Sequence, residues 1–153
     1  ALGGGCEMTL ACDLRVAAVT STFYVPEVER GMNMSWGSIP RFVALVGPAR
    51  TKRIAALCEK VDAATALNWG LCDHVVPAGE AMNKAREIAE AAAALPPTAL
   101  KSVKQDVNVA ALALARATGH RDLETFALLQ QSDDFKEGVS AFLKGREPTF
   151  TGD

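Results

Sequence analysis

A run of three glycines followed by an acidic residue, Gly3-Gly4-Gly5-Cys6-Glu7, combines residue types that could do chemistry near the start of the chain. Consecutive glycines let the backbone turn tightly and leave its N–H groups uncovered. Good helix formers follow them, so these N–H groups should lie near a helix N-terminus, where they can bind negative charge. Glu7 would lie about one helical turn further on. An anion site beside an acid is what a reaction through an enolate or oxyanion needs, although a glycine turn that leads into a buried helix has the same pattern.

A second acid, Glu27, follows the apolar segment 22–25 and precedes the glycine-bounded loop 31–37. A carboxylate that emerges from a strand beside a loop is a common arrangement for a catalytic group, and a solvated acid in a turn is the alternative. Glu29 has the same charge two residues later, but Arg30 follows it, so we expect Glu29 to form a surface ion pair.

The neighbours of Glu7 along the chain are mainly apolar, which predicts a buried carboxylate. Burial raises the pKa of a carboxylic acid unless it is paired or hydrogen-bonded, and a raised pKa suits proton transfer near neutral pH. Glu7 and Glu27 on either side of one reactive carbon could activate water and deliver a proton. Backbone N–H groups would hold the enolate between those steps.

Composition and charge exclude several classes of protein. The 153 residues are 49% hydrophobic and 22% charged, as in ordinary soluble domains. A formal charge of -2 and few aromatic residues argue against a nucleic-acid partner. No apolar run approaches the roughly 20 residues that cross a bilayer, so we expect no membrane partner. The four cysteines show no CxxC pair and no nearby histidine pattern. They are therefore expected to be reduced and mostly buried, without a metal site, in a reducing cytoplasmic compartment. His74 and His120 are expected to be structural or solvated.

The predicted elements place strands early in the chain and helices late. Strands are predicted over residues 14–19, 22–25 and 71–76. Helices are predicted over residues 4–12, 39–46, 48–59, 63–69, 81–95 and 112–131, with one more that starts near residue 98 and a last one that ends near residue 143. Gly47-Pro48 should break the chain between two helices. Asp62 is the expected N-cap, and Gly70 the expected end, of the helix at 63–69. Residues 134–137 form a possible capping box for the last helix, and the tail 145–153 should be loose. So few strands cannot form an independent sheet, which suggests that the chain continues a sheet begun upstream.

Several segments of the chain, taken in order, resemble the enoyl-CoA hydratase/isomerase (crotonase) superfamily. They are residues 1–7, 11–17, 23–27, 40–42 with 46–47, 66–71, 75–77 and 133–143, together with Gly31. Each segment alone is modest evidence, whereas their order and spacing along essentially the whole chain are highly specific.

The resemblance implies an α/β fold, the ββα spiral of the crotonase (ClpP/crotonase) type. Residues 1–78 would form the C-terminal part of the spiral core. Residues 79–153 would form a helical region that drives trimerisation, and trimers in the family often pair into hexamers. The substrate would be an acyl thioester of coenzyme A. No metal and no cofactor beyond that coenzyme A would be required, because the thioester supplies the electron sink.

Three positions match catalytic residues of the family. The N–H of Gly4 would supply half of the oxyanion hole, Glu7 would orient and activate water, and Glu27 would exchange a proton with the α-carbon of the substrate. The other oxyanion amide comes from an upstream loop that is not in this chain, so the isolated 153-residue chain is predicted to be inactive.

The presence of both acids favours one reaction of the family. Hydratases generally keep both acids, whereas double-bond isomerases typically need only the acid at Glu27. The pair therefore favours hydration of a 2-enoyl-CoA thioester to a 3-hydroxyacyl-CoA. The alternatives are an enoyl-CoA isomerase, another crotonase-type acyl-CoA reaction, and a non-catalytic crotonase-like scaffold that acts through its trimer surface.

The resemblance also suggests substrate-binding residues. Phe142, with Lys144 or Arg146, falls where the last helix of the family can approach the nucleotide of a neighbouring subunit. The loop that contains Met34 and Trp36 is bulkier than the glycine-rich loop of short-chain hydratases. These two side chains either line the acyl pocket or fill the core.

Overall fold

A computed structural model describes residues 1–113, 115, 119 and 121–153. Within these ranges the helices and strands follow one another along the chain. They are α1 (Gly4–Leu10), β1 (Val16–Ala18), β2 (Thr22–Phe23), a 3-10 turn (Val28–Arg30), α2 (Ser38–Ala55), β3 (Val61–Asp62), α3 (Ala63–Trp69), β4 (His74–Val76), α4 (Ala81–Ala93), α5 (Pro97–Ala111), α6 (Asp122–Leu129) and α7 (Asp133–Lys144).

Two pairs of short strands organise the first half of the chain. β1 runs parallel to β4, with Ala17 opposite Val75, and β2 runs antiparallel to β3. Leu2 forms a parallel bridge with Tyr24, which places the start of α1 beside the end of β2. The three strands expected from the sequence are present, each shorter than predicted, because only part of each apolar segment is paired.

The hydrophobic core lies among these elements. Phe42 and Ile54, both on α2, are fully buried in it. Trp69, at the end of α3, is 9% exposed. The guanidinium carbons of Arg50 and Arg53 lie 5.5 and 4.7 Å from the centroid of its ring. These two cation–π contacts hold the second half of α2 against the end of α3.

The later helices leave much of their apolar surface uncovered. α4, α5 and α6 contribute no buried residue. Exposed apolar side chains on and beside them are Met82, Leu95, Leu100, Val103, Val107, Val109, Leu123 and Leu128. Exposed apolar side chains in this number are typical of a surface that another polypeptide covers.

Two boundaries predicted from the sequence are confirmed. α2 is interrupted at Gly47, whose φ of 78° and ψ of 167° are not helical, and Pro48 begins its second half. The Asp62 carboxylate accepts the N–H of Thr65 at 2.7 Å, and Gly70, with φ 78°, ends α3. An N-cap carboxylate and a left-handed glycine satisfy the two ends of this short helix.

The second half of α2 is shorter than predicted. It ends at Ala55 rather than near residue 59. Cys58 takes a positive φ of 51°, and Glu59 turns back to pair with Arg53 at 2.6 Å. The chain therefore leaves the helix one turn early, and residue types alone did not reveal this.

The predicted helix over 112–131 is wrong at its start, where residues 112–113 form a turn, whereas residues 115 and 119 are helical. α5 ends at Ala111 with a non-helical residue, Leu112 (φ -110°, ψ 19°), and a turn follows. α6 covers only the later part of the predicted span. Residues 114, 116–118 and 120, which include His120, lie outside the described residues. The apolar periodicity continues past Ala111, so it could not reveal the break in the backbone.

The cap of α7 also differs from the prediction. The hydroxyl of Ser132 accepts the N–H of Phe135 at 3.1 Å, so Ser132 is the N-cap and the capping box at 134–137 does not form. Ser132 and Asp134 are both good capping residues, and the sequence did not distinguish them.

The C-terminal tail is tied down rather than loose. The Asp134 carboxylate accepts the N–H of Thr151 at 2.7 Å. The Glu137 carboxylate accepts the N–H of Thr149 at 2.9 Å. Acids that were expected to cap α7 therefore hold the segment 145–153 against it.

The cysteines agree with the expectation from their spacing. Cys6, Cys58 and Cys72 are buried free thiols, and Cys12 is an exposed one. In the described ranges, no helix is both long and apolar enough to cross a lipid bilayer.

Candidate active site

The two glutamates singled out from the sequence come from elements that are fastened together. Glu7 lies on α1, and Glu27 precedes the 3-10 turn that follows β2. The N–H of Gly3 donates to the Tyr24 carbonyl at 2.8 Å, and the N–H of Tyr24 donates to the Ala1 carbonyl at 3.0 Å. These bonds join the segment before α1 to the segment before Glu27, and so bring the two acids to one place.

Gly3 permits the close approach of Glu27. Its φ of 51° lies in the left-handed region, and a Cβ there would lie 2.8 Å from Oε1 of Glu27. The other oxygen, Oε2, is buried and has no hydrogen-bond partner in the described part of the chain. An unpartnered buried oxygen is unfavourable in a resting fold. This oxygen of Glu27 therefore does not contribute a stabilising hydrogen bond to the described part of the fold.

The pKa values of both glutamates are raised. For Glu7, burial is the main cause, and the hydrogen bond from Ser38 opposes it. The negative charges of Glu27 and Asp122 raise the pKa of Glu7 further. For Glu27, burial raises the pKa, whereas its own backbone N–H and the charge of Arg30 lower it. Carboxylic acids with raised pKa values can take up and release protons near neutral pH.

Ser38 makes the direct contact with Glu7. Glu7 is 7% exposed, as its apolar neighbours predicted, and Ser38 is 2% exposed. The Ser38 hydroxyl is hydrogen-bonded to Oε2 of Glu7 and lies 2.6 Å from the carbonyl oxygen of Ser35. Ser38 begins α2, so this bond joins the loop before α2 to α1.

Gly4 and Trp36 meet at the N-terminus of α1. Within the described ranges, the N–H of Gly4 has no hydrogen-bond partner. A Cβ on Gly4 would lie 2.9 Å from Cζ3 of Trp36. Trp36 is 69% exposed and has a positive φ of 58°, which is rare for a bulky residue. Arg41 donates to the carbonyls of Trp36 and Gly37 at 3.2 and 2.9 Å and holds this turn.

Cys6, between Gly4 and Glu7, is not suited to nucleophilic chemistry. Burial is the main cause that raises the pKa of its thiol to about 11, and the charges of Glu27 and Glu7 act in the same direction. The thiol therefore stays protonated at neutral pH, and only a thiolate is a good nucleophile.

Met34 differs from Trp36 in being almost fully enclosed, at 5% exposed. It is buried in the hydrophobic core. It also lines a cavity of about 450 Å³ beside Ile39, Val43 and Asp122, whose described lining includes neither glutamate.

Phe142 and Lys144 both lie on α7. Phe142 is 60% exposed, and the Arg30 guanidinium carbon lies 4.1 Å from its ring centroid. Lys144 lies in the last turn of α7. The hydrogen bond from Arg146 is the main cause that lowers the pKa of Glu137 to about 2, and the charge of Lys144 contributes a little. Arg146 is therefore engaged with Glu137, at 2.6 Å.

The expected ion pair between Glu29 and Arg30 is wrong for the described residues. Glu29 accepts a hydrogen bond from the Tyr24 hydroxyl at 2.5 Å. Arg30 instead donates to the Pro26 carbonyl at 2.9 Å and covers Phe142. Glu29 remains exposed, whereas Oε2 of Glu27 is buried, so the two acids differ in environment.

Sequence reasoning missed three residues of the site. Ser38 and Asp122 contact the loop before α2, and Arg30 supports the turn after Glu27. No motif marks them, because each acts through a contact that exists only after the loop folds. Within the described ranges, no cluster of three acidic, cysteine or histidine side chains could hold a metal ion.

The sequence of this chain is similar to those of known proteins of one family. The model of the family described as enoyl-CoA hydratase/isomerase matches residues 1–153. The chain is 33% identical over 147 residues to the short-chain-enoyl-CoA hydratase of Clostridium acetobutylicum. The aligned region is 96% of this chain and 56% of that protein. The chain is 32% identical over 152 residues to the 2,3-dehydroadipyl-CoA hydratase of Escherichia coli, with 99% and 60% covered. The chain thus spans little more than half the length of these relatives.

The backbone of the chain is also similar to that of a solved structure. An enoyl-CoA hydratase from Mycobacterium avium subsp. paratuberculosis K-10 superposes with a TM-score of 0.93 at 32% identity. The superposition covers 99% of this chain and 61% of that one.

Proposed function

Since the chain belongs to the enoyl-CoA hydratase/isomerase family and has its crotonase-type fold, we propose that the full-length protein hydrates a 2-enoyl-CoA thioester to a 3-hydroxyacyl-CoA. The observation that carries the proposal is that a buried acid, Glu7, and a half-buried acid, Glu27, lie close enough for the charge of Glu27 to raise the pKa of Glu7. Within the described residues, one oxygen of Glu27 is buried without a hydrogen-bond partner. Beside these acids lies the uncommitted N–H of Gly4 at a helix N-terminus.

The Gly4 N–H is one donor for the thioester oxygen. As water adds to C3, the electrons of the double bond move through C2 onto that oxygen, and a fixed donor stabilises the developing charge. A second donor would come from outside this chain. The thioester is the electron sink, so we propose no cofactor beyond coenzyme A itself.

Glu7 and Glu27 divide the proton transfers. Ionised Glu7 takes a proton from water as the oxygen bonds to C3, and neutral Glu27 gives a proton to C2. Each acid ends in the opposite state, and exchange with solvent restores both. Burial raises the pKa of both acids, so each can take up or release a proton near neutral pH, and the hydrogen bond from Ser38 opposes burial at Glu7.

We assign the remaining substrate contacts by which side chains are exposed to solvent and which are buried. Trp36 presents an indole beside Gly4 and would border the acyl group, whereas the burial of Met34 favours a role in the core. Phe142 and Lys144 would contact the nucleotide of a substrate held by a neighbouring subunit. The uncovered apolar surface of α4 and α5 supports assembly as a homotrimer or hexamer.

The test is turnover of the full-length gene product on short and long 2-enoyl-CoA and 3-enoyl-CoA thioesters, with hydrated and isomerised products separated. Glu7→Gln and Glu27→Gln should each lower kcat by roughly 10²–10⁴-fold, the usual contribution of general acid–base catalysis. Glu29→Gln is the matched control and should stay close to the unmodified protein, because Glu29 is exposed.

Three results would contradict the proposal. Isomerised product alone, with Glu7→Gln active, would indicate an isomerase that uses only Glu27. Unchanged turnover in both variants would remove the two acids from the reaction. An assembled protein that turns over none of these thioesters would favour the scaffold.

A further inference from the structure

We propose that Ser38 is the positioning residue of Glu7: it holds oxygen Oε2, leaves Oε1 for the reacting water, and redirects its single hydroxyl proton when Glu7 changes its protonation state. This inference rests on the proposed function, in which Glu7 alternates between base and acid.

The Ser38 side chain is built into the site rather than into its helix. The N-cap of α2 is Gly37, which has φ 67° and no side-chain capping bond. The Ser38 hydroxyl is therefore not needed to begin α2. It points instead into the buried space between Glu7 and the carbonyl oxygen of Ser35. Within the described residues, Oε1 of Glu7 has no hydrogen-bond partner, so the bond to Ser38 distinguishes the two oxygens.

A count of protons shows how this contact serves both states of Glu7. A hydroxyl carries one proton and can also accept, whereas a carbonyl oxygen only accepts. When Glu7 is ionised, Ser38 donates to it, and the Ser35 carbonyl still accepts the backbone N–H of Ser38 at 3.2 Å. When Glu7 is neutral, it donates to Ser38, whose own proton turns to Ser35 at 2.6 Å. Both states are satisfied by rotation of one hydroxyl, and no backbone has to move.

The other groups that face Glu7 act in the opposite direction to Ser38. Glu27, beyond β2, and Asp122, at the start of α6, are both acidic and raise the pKa of Glu7, in addition to burial. Asp122 also accepts the N–H of Gly37 at 3.0 Å, so it holds the loop that carries Ser38. In the described part of the chain no cation pairs with Glu7. The Ser38 hydroxyl is thus the side-chain contact that keeps an ionised Glu7 accessible near neutral pH.

The experiment compares Ser38→Ala with Ser38→Thr in the full-length protein, measured as kcat and kcat/KM against pH. Loss of a hydrogen bond to a charged group predicts that Ser38→Ala lowers kcat by roughly 10- to 100-fold. The acid limb of the profile should move to higher pH, because an ionised Glu7 is required and is now harder to form. Ser38→Thr keeps the hydroxyl and should restore the position of the acid limb.

Thr51→Ala is the matched control. Thr51 is also buried on α2, and its hydroxyl donates to the Gly47 carbonyl at 2.7 Å, without contact to Glu7. It should lower stability and leave the pH profile in place. If Ser38→Ala does not fold, Ser38→Cys fills the space with a weak donor and should shift the acid limb in the same direction.

Failure of this inference can be separated from failure of the proposed function. If Glu7→Gln abolishes hydration while Ser38→Ala keeps the unmodified profile, Ser38 has no positioning role and the proposed function stands. If the unmodified protein hydrates nothing, the Glu7 carboxyl is titrated directly by carbon NMR, with Glu7→Gln to assign its signal. An unchanged Glu7 titration in Ser38→Ala overturns the inference, and a shift to higher pH supports it.

Discussion

Glu27, the residue proposed to give a proton to C2, is placed at a cost to the stability of the fold. Among the residues that the structure describes, its Oε2 is buried without a hydrogen-bond partner, and burial raises the pKa of its carboxyl above 4.5. Between pH 4.5 and its pKa in the fold, the native state binds a proton that the unfolded state has released. Stability contributed by this group therefore falls as pH rises through that window, and stays lower above it.

Replacing this acid should stabilise the protein at neutral pH. Glu27→Gln cannot ionise, so we expect its Tm at about pH 7.5 to exceed that of the unmodified protein by a few degrees, at about 2–4 °C per kcal/mol in a domain of this size. The difference should vanish near pH 4, where Glu27 is neutral in both states. Thermal scans of Glu27→Gln and of the exposed control Glu29→Gln check this. A Glu27→Gln variant without a gain at neutral pH would contradict it.

The sequence predicted the main candidates at this scale but not their support. The glycine run and the two acids were visible because their residue types are informative where they stand in the chain. Ser38 and Asp122 were not, because a serine or an aspartate at the start of a helix is common. Their roles arise only when the loop folds over α1 and meets α6.

At the scale of elements, α7 supports the turn that carries Glu27. The backbone of the 3-10 turn lies against two glycine positions. A Cβ on Gly138 would lie 2.6 Å from the carbonyl carbon of Arg30, and a Cβ on Gly31 would lie 2.7 Å from Cα of Phe135. Because a Cβ at either position would meet backbone atoms, no flexible side chain could move aside to make room for it. The contacts with α7 thus fix the position of the 3-10 turn and, through it, the position of Glu27 relative to Gly3.

A methyl group at Gly138 should disturb both stability and turnover. Gly138→Ala gains about 1 kcal/mol of helix propensity, but overpacking costs roughly 1–3 kcal/mol, so we expect a net loss of up to about 2 kcal/mol. kcat should fall, because the turn after Glu27 is displaced. Denaturant unfolding and turnover measure the two effects. Gly5→Ala is the control for stability, since its Cβ would meet nothing within 4 Å, and equal stabilities of the two variants would refute the argument.

Elements with strong end signals were predictable, and those without were not. α3 was predicted with its correct residues because an N-cap aspartate and a terminal glycine bound it. The C-terminal helices were misplaced where two capping residues compete, at Ser132 and Asp134, and where apolar periodicity continues through a turn at Leu112. The composition of the tail predicts a loose segment, yet carboxylates of α7 bind its N–H groups.

At the scale of the whole molecule, the apolar surface of α5 calls for a covering partner. Val103 and Val107 are one helical turn apart and exposed. We propose that other copies of the protein cover them in a trimer or hexamer. The buried residues of the main hydrophobic cluster, by contrast, fall between positions 6 and 72 of the chain, and Ala141 of α7 is also buried. The division at residue 78 remains a prediction.

Charge on that surface should weaken assembly. Val103→Lys and Val107→Lys each place an ammonium group where an apolar contact is expected, so we predict a shift toward smaller species by light scattering of the full-length protein. Gln105→Lys adds the same charge on the other side of α5 and should leave the mass unchanged. If both valine variants keep the mass of the unmodified protein, this surface is not the interface.

The placement of the indole of Trp36 against Gly4 has an optical consequence. The chain contains two tryptophans, and they lie in opposite surroundings: Trp36 in water and Trp69 in the core between two guanidinium groups. Emission from a hydrated indole lies at longer wavelength than emission from a buried one. The long-wavelength side of the fluorescence of this chain therefore reports on the space above the Gly4 amide, and the short-wavelength side reports on the integrity of the core.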